Sequence, residues 1–460
     1  GGKIVTPEGI ARADLGVRGE TIEAIGRDLR ALAPRASVVD ARGHYVLPGA
    51  LDVHTHFNLT VGRGVTTADD FTSGTRAALR GGVTTIVDFA TPEPGREKGA
   101  AHQPLGEAVE ARMREAAGRC FTDFAFHVGV TRWEQHREEI PGLIRRGFPT
   151  FKESMIYESR GLRSNDGAIF ATLEAMRDSG GLLLLHAESP EVLDLLTARE
   201  HTPEKMRALG ARLHAATRPG FVESEAVSRA LTWCEATRGP LYFVHLSTAE
   251  SVSHLRRARE RGAPAWGETC PQYLTLDDSV FARPDGHRFV CAPRIQSRAD
   301  QRALWEGLRR GDLDTVATDH CSFTRAQKDA WGGDWTRLPF GLPGAETMIP
   351  LLYTFGVLKK RLSLEALVEK TARNPARLMG LYPRKGALLP GSDADLVILH
   401  PTRRRPYAPG DRETRADWTP YDGWPLAGFA RTALLRGRVV VDGYRIVAPA
   451  PSGQWLARRR

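Results

Sequence analysis

The chain has 460 residues, 41% of them hydrophobic and 26% charged, which is ordinary globular usage and excludes collagen, coiled coil and wholesale disorder. Sixty-four basic residues against 55 acidic ones leave a net charge of +9, and only nine of the basic residues are lysine. The arginines are interleaved with acids, and the tightest runs, Arg403–Arg405 and Arg458–Arg460, read as solvated loop and tail, so no nucleic-acid partner is expected.

The length suggests a large domain with a smaller companion. The chain opens on Gly-Gly without Met, as expected of a sequence short of a few native residues, and no signal peptide is expected. Residues 1–48 read as short strands. Lys3–Val5 comes first, Asp14–Arg18 and Thr21–Ile25 flank a Gly-Glu turn, and Ser37–Asp40 and Tyr45–Leu47 flank Arg-Gly. The middle then alternates apolar runs with helical patterns. Strands are predicted at Leu51–His54, Thr84–Phe89, Phe124–Val128, Thr150–Glu153, Leu182–His186, Leu241–His245, Ala265–Glu268 and Thr315–Thr318. Helices are predicted at Asp69–Arg80, Pro104–Ala117, Glu134–Arg146, Gly167–Asp178, Glu223–Thr237 and Ala249–Glu260. This alternation predicts an α/β chain with a (β/α)8 TIM barrel over 49–386. An open doubly wound sheet is the alternative, but no GxGxxG opens a helix after the first strand. A second β-rich patch, Asp395–Leu399, Thr432–Leu435, Val439–Val441 and Tyr444–Val447, is expected to join the first as a small β-sandwich of residues 1–48 plus 387–460, with a C-terminal tail.

The five cysteines are widely spaced, odd in number and form no CxxC pair, which points to a reducing cytoplasm and against a disulfide framework or a cysteine zinc site. No apolar run approaches the ~20 residues that span a bilayer, so no membrane partner is expected.

The residues able to hold a metal recur at one kind of position. His54, His56, Lys152, His186, His245 and Asp319 all fall at the C-terminal ends of predicted strands, where barrel active sites are built. In His54-Thr-His56 the two imidazoles point to one face of a strand and could chelate Zn2+ or a similar ion. Singly each residue has a plain reading: a hydrogen-bonded histidine, a snorkelling lysine, a capping carboxylate. The plain readings do not explain why all six share one position.

Pro48-Gly-Ala-Leu-Asp-Val-His-Thr-His56 resembles the PGxIDxHxH signature of the amidohydrolase superfamily. Phe151-Lys152 with Tyr157 five residues on, Leu185-His-Ala-Glu188, Val244-His-Leu-Ser247, Glu268-Thr-Cys-Pro-Gln-Tyr-Leu274 and Ala317-Thr-Asp-His-Cys-Ser-Phe323 resemble blocks of its dihydropyrimidinase and hydantoinase family, in the same order. Later stretches, among them Gly391-Ser-Asp-Ala-Asp-Leu396, resemble that family's return to the β-sandwich. The resemblance implies a binuclear site, usually zinc, with His54, His56 and Asp319 on one ion and His186 and His245 on the other. It implies that Lys152 bridges both as a CO2-derived carbamate. It implies that a metal-bridging hydroxide attacks a ring amide, with Asp319 moving the proton and Tyr157 donating to the oxyanion. The ring would open to an N-carbamoyl amino acid or N-carbamoyl-β-amino acid. Relatives of this kind form homodimers or homotetramers.

Two positions depart from the pattern. Ala292 stands where the family usually has Ser, and Phe340 where it usually has Asn. Both belong to segments that hold the substrate ring, and Phe340 could narrow the pocket or offer a stacking surface. Tyr157 favours the dihydropyrimidinase and hydantoinase branch over an allantoinase- or dihydroorotase-like ureido-ring hydrolase. A mononuclear deaminase would not need Lys152, and a non-catalytic scaffold would have lost ligands that this chain keeps. Glu153 is expected to point out of the barrel into solvent, His127 to be a core histidine, and Asp52 to support the histidine pair.

Overall fold

Eight parallel strands hydrogen-bond in chain order: β1 (Ala50–Asp52), β2 (Val83–Ala90), β3 (Asp123–Gly129), β4 (Thr150–Ser154), β5 (Leu182–His186), β6 (Leu241–Phe243), β7 (Ala265–Thr269) and β8 (Thr315–Val316). The structure is a computed structural model and describes residues 1–95 and 100–460. Each strand lies on a predicted run. Strands covered on both faces read as unbroken apolar stretches, and Leu182–Leu185 is wholly buried. Closure of the ring is made just beyond the strand ends. Thr55 bridges His320 in parallel; the His56 N–H donates to the His320 carbonyl at 2.8 Å, and the His320 N–H to the His54 carbonyl at 3.3 Å. Asp52 ties the same seam by accepting from the Thr318 N–H at 3.0 Å and its hydroxyl at 2.5 Å. The chain therefore forms the (β/α)8 barrel.

Helices Phe71–Arg80, Leu105–Ala116, Asp166–Ser179, Phe221–Thr237 and Ala249–Glu260 coincide with predicted stretches. Asp70 starts the first of them with a capping box, accepting from the Ser73 N–H at 2.9 Å. The predicted helix over Glu134–Arg146 is broken into Trp133–His136, a 3-10 turn at Arg137–Glu139, and Ile140–Arg145. Pro141 has no N–H to return to the Arg137 carbonyl, so the α ladder cannot run through that turn. Helices Pro190–Glu200, Pro203–Leu209 and Arg212–Thr217 after β5, and Arg298–Arg310 before β8, lie outside the predicted set.

The two chain ends build a second eight-stranded sheet, antiparallel except where Gly2–Thr6 runs parallel to Tyr45–Pro48. Leu396–Leu399 pairs with Tyr45–Pro48 and so stitches the late segment to the early one. The sheet rolls up: the Ile22 N–H donates to the Ser392 carbonyl and the Ala394 N–H to the Glu20 carbonyl, enclosing Ile4, Ile22, Val46, Leu396, Ile398 and Leu434.

Two expectations fail in this region. Ser37–Asp40 is irregular, because both edges of Tyr45–Pro48 are taken by Gly2–Thr6 and Leu396–Leu399; Val38 and Val39 remain exposed. Arg458–Arg460 is not a solvated tail, since Arg458 is fully buried beneath the barrel. All five cysteines are free and buried, and no helix among the described residues is long and apolar enough to cross a membrane.

Candidate active site

The six residues gather at the C-terminal mouth of the barrel. Lys152 lies within β4, His186 ends β5, His54 and His56 follow β1, His245 follows β6, and Asp319 follows β8. One nitrogen each of His54 and His56 and one oxygen of Asp319 lie within 4.8 Å of one another. Asp319 Oδ1 is 3.3 Å from His54 Nε2 and 3.1 Å from His56 Nε2. The His245 ring is 5.3 Å from that of His54 and 4.6 Å from that of His186. Strand alternation sets the facing: Thr55, between the two histidines, turns away to donate to Asp88 Oδ2 at 3.0 Å.

Burial holds the imidazoles of His54, His186 and His245 below their ordinary value, so they are neutral, with lone pairs to offer. Burial opposes ionisation of Asp319, but the His54 and His56 imidazoles outweigh it and hold the carboxyl low. Lys152 is partly exposed as a residue, yet its Nζ is enclosed and has no hydrogen-bond partner among the described residues. Burial pulls that amine down to about 7 against the Glu268 and Asp319 carboxylates. Neutral imidazoles, a carboxylate and an unpartnered amine form a donor set that suits a divalent cation of the zinc type.

A shell of buried side chains aims these groups. Glu268 Oε1 accepts from His54 Nδ1 at 2.8 Å and from the His245 N–H at 3.0 Å, leaving His54 Nε2 for a cation. Glu188 holds His186 Nε2 at 2.7 Å and is itself clamped by Arg218. Tyr157, His245 and Asp319 all sit at positive φ, +74°, +42° and +50°. Such backbone costs roughly 1–3 kcal/mol per residue and is kept where a side chain must be aimed.

Tyr157 faces the histidines, its ring 5.3 Å from that of His186. Burial raises its pKa, so the phenol keeps its proton for donation. Ala292 and Phe340 lie on neighbouring loops pinned to each other. The fully buried Lys328 donates to the Val290 carbonyl at 2.9 Å and the Pro339 carbonyl at 2.7 Å. One ring contact of Phe340 is the Arg218 guanidinium at 5.2 Å and another is His214 at 4.9 Å, so much of its surface is committed to the protein.

Other residues fall out as follows. Glu153 points out of the barrel but is not solvated: it is 1% exposed beneath helix Asp166–Ser179, where Oε1 accepts from Thr172. His127 is a fully buried core residue, and Asp52 supports the β8–β1 seam. Arg218, Lys328 and the aiming role of Glu268 were not picked out from the sequence. Glu188 and Glu268 stand inside motif blocks, but Lys328 lies in a stretch with no signal, and its carbonyl acceptors are backbone atoms that any sequence supplies.

The amidohydrolase family model matches residues 45–421. A D-hydantoinase of Geobacillus stearothermophilus is 37% identical over all of this chain and 96% of its own, and a D-phenylhydantoinase of Escherichia coli is 37% identical over all of this chain and 97% of its own. Among solved structures, a dihydropyrimidinase from Brevibacillus agri superposes with TM-score 0.94 at 36% identity, covering 100% of this chain and 97% of that one. An L-hydantoinase (dihydropyrimidinase) from Arthrobacter aurescens superposes with TM-score 0.89 at 28% identity, covering 99% and 98%.

Proposed function

The chain belongs to the amidohydrolase family as a hydrolase of cyclic amides, and from that premise we propose that it opens a dihydropyrimidine or hydantoin ring to an N-carbamoyl amino acid or N-carbamoyl-β-amino acid, using two divalent cations of the zinc type. The observation that carries this reading is Lys152, whose enclosed Nζ has no partner among the described residues and lies amid three neutral histidines. An ammonium has no lone pair for a cation. A neutral amine adds CO2: the N–C bond forms, one proton leaves, and the product is an anionic carbamate able to span two ions. His54, His56 and Asp319 would hold one ion, His186 and His245 the other, and Lys152 both. When bound, such ions polarise a carbonyl and acidify a water.

The chain's own groups supply the rest. Tyr157 donates its hydroxyl to the ring carbonyl oxygen as negative charge develops there. Asp319 takes a proton from the attacking water and delivers it to the departing ring nitrogen. The Val290–Pro293 and Pro339–Gly341 loops, pinned by Lys328, offer main-chain groups to the ring. Tyr157 is the feature that favours this branch over a ureido-ring hydrolase.

The test joins metal analysis to a substrate panel of dihydrouracil, both enantiomers of a benzyl hydantoin, allantoin and dihydroorotate. Protein grown with zinc should carry about two ions per chain, open dihydrouracil or a hydantoin, and lose both ions and activity in Lys152→Ala. Activity on allantoin alone overturns the branch. Wild-type protein that takes up no metal and ignores bicarbonate overturns the binuclear reading.

A further inference from the structure

At the barrel end opposite the histidines, residues 453–460 run beneath the strands as a floor. The Phe124 N–H donates to the Gln454 carbonyl at 2.9 Å, the Leu456 N–H to the Phe124 carbonyl at 2.9 Å, and the Arg458 N–H to the Gly147 carbonyl at 3.1 Å. Trp455 stacks on Phe148 with centroids 5.3 Å apart. This lays Arg458 against the barrel interior with no exposed surface. Its Nη2 donates to the Phe126 carbonyl and, at 2.8 Å, to Thr150 Oγ1. Its Nε and Nη1 have no partner, and no carboxylate among the described residues offsets its charge. Burying a guanidinium in this way costs several kcal/mol.

The contact to Thr150 has a consequence that runs up the barrel. The Arg458 guanidinium occupies a lone pair of Thr150 Oγ1 and so turns the hydroxyl proton toward His127 Nδ1, 2.8 Å away. The Val53 carbonyl, 2.9 Å from Nε2, can only accept, so His127 carries its proton at Nε2 and its Nδ1 accepts from Thr150. Reversing Thr150 would move that proton to Nδ1 and set an Nε2 lone pair against the carbonyl oxygen. Val53 is the residue before His54. The His127 ring also packs at 4.9 Å from Phe89, whose ring lies 5.0 Å from His54 and stacks 4.8 Å from His56.

We propose that Arg458 is a positioning residue for the cation site. From the barrel floor it orients the Thr150 hydroxyl, which braces the His127 ring against the Val53 carbonyl, and so seats the His54 and His56 pair for a divalent ion. The inference rests on the metal reading above, and its readout is cation affinity rather than turnover.

Metal-free protein is titrated with Zn2+ against a chromophoric chelator, for the wild type, Arg458→Ala and Arg460→Ala. Arg460 lies on the same segment but donates to the Leu378 and Gly181 carbonyls, away from His127. Arg458→Ala should bind zinc about ten-fold or more weakly, with affinity returning when free guanidinium fills the vacated space. Arg460→Ala should lower thermal stability and leave affinity unchanged. Ring-nitrogen NMR of His127 should show the Nε2–H tautomer in both proteins, with the Nδ1 resonance of Arg458→Ala shifted as the Thr150 hydrogen bond to it weakens. If Arg458→Ala fails to fold, Thr150→Val decides, because it removes the hydroxyl and keeps the guanidinium; it should weaken zinc binding to a similar degree. Wild-type affinity in Arg458→Ala, or in Thr150→Val where that variant decides, overturns the inference alone. A wild type that binds no zinc overturns the metal reading and takes this inference with it.

Discussion

At Glu268 a single carboxylate oxygen serves both halves of the proposed cation site, accepting from the His54 ring and from the His245 backbone. Its other oxygen takes the Tyr242 hydroxyl at 2.9 Å. Burial pushes this carboxyl up to about 8. A glutamine can keep the geometry, with its oxygen toward the histidines and its amide toward Tyr242, while removing the ability to ionise when a cation arrives. Glu268→Gln should therefore bind zinc about ten-fold more weakly, as expected when the partner of a ligating histidine loses its charge. The metal-free variant should be no less stable than the wild type, because a carboxyl pushed up to about 8 is largely neutral at pH 7 and the amide replaces it without a charge. A chelator titration beside a melting curve checks both halves; a large fall in melting temperature with unchanged affinity would make Glu268 a purely structural residue. Motif blocks marked His54, His186 and Asp319 as candidate ligands, whereas the contact of Glu268 with His54 became visible only once distant segments met.

Elements show the same division. The eight barrel strands could be read because their burial on both faces is written as apolar runs. The loops above them could not be read, since backbone carbonyls and tight approaches hold them. Gly341, beside Phe340, has φ +144°, and a Cβ there would lie 2.4 Å from the Cys321 carbonyl oxygen. Lys328, on helix Arg325–Asp329, pins the same loop to the Val290 segment. Lys328→Met should raise KM for ring substrates about ten-fold by loosening the two loops, a loss of roughly 1.4 kcal/mol in ground-state binding, with metal content unchanged.

The pH dependence of stability has a definite sign at this residue. Burial lowers the Lys328 amine from 10.5 to about 7, so between those values the unfolded chain holds a proton that the folded chain has released. Stability thus rises with pH across that window, and the cost of the buried ammonium stands in full below it. Urea midpoints measured from pH 7 to 10 should climb more steeply for the wild type than for Lys328→Met. Parallel curves would show that Lys328 does not titrate in this range.

On the scale of the whole molecule, barrel and sheet are locked by charge as well as by apolar contact. Lys385 Nζ lies 2.5 Å from Asp123 at the start of β3, 2.9 Å from Asp393 and 2.7 Å from Asp395, and Arg436 also pairs with Asp123. Lys385 is 1% exposed, and the three carboxylates hold its ammonium above the usual range. Lys385→Met would strand buried carboxylates and should cost about 3–5 kcal/mol in chemical denaturation. A change under about 1 kcal/mol would mean that water already screens the cluster.

The sequence by itself determined the order of the eight strands, their apolar character, and the placing of six metal-capable side chains at one end of them, because each of these is a local pattern along the chain. Tertiary structure alone decided the rest. It left Val38 and Val39 outside a sheet whose neighbouring edges were already filled, and it laid Arg458 under the barrel 332 residues from the Phe126 carbonyl that receives it. It also put Lys328 and Lys385 in the interior. A long cation reads as surface until acceptors from elsewhere close around it, and those acceptors are backbone carbonyls and remote carboxylates that leave no mark beside it in the chain.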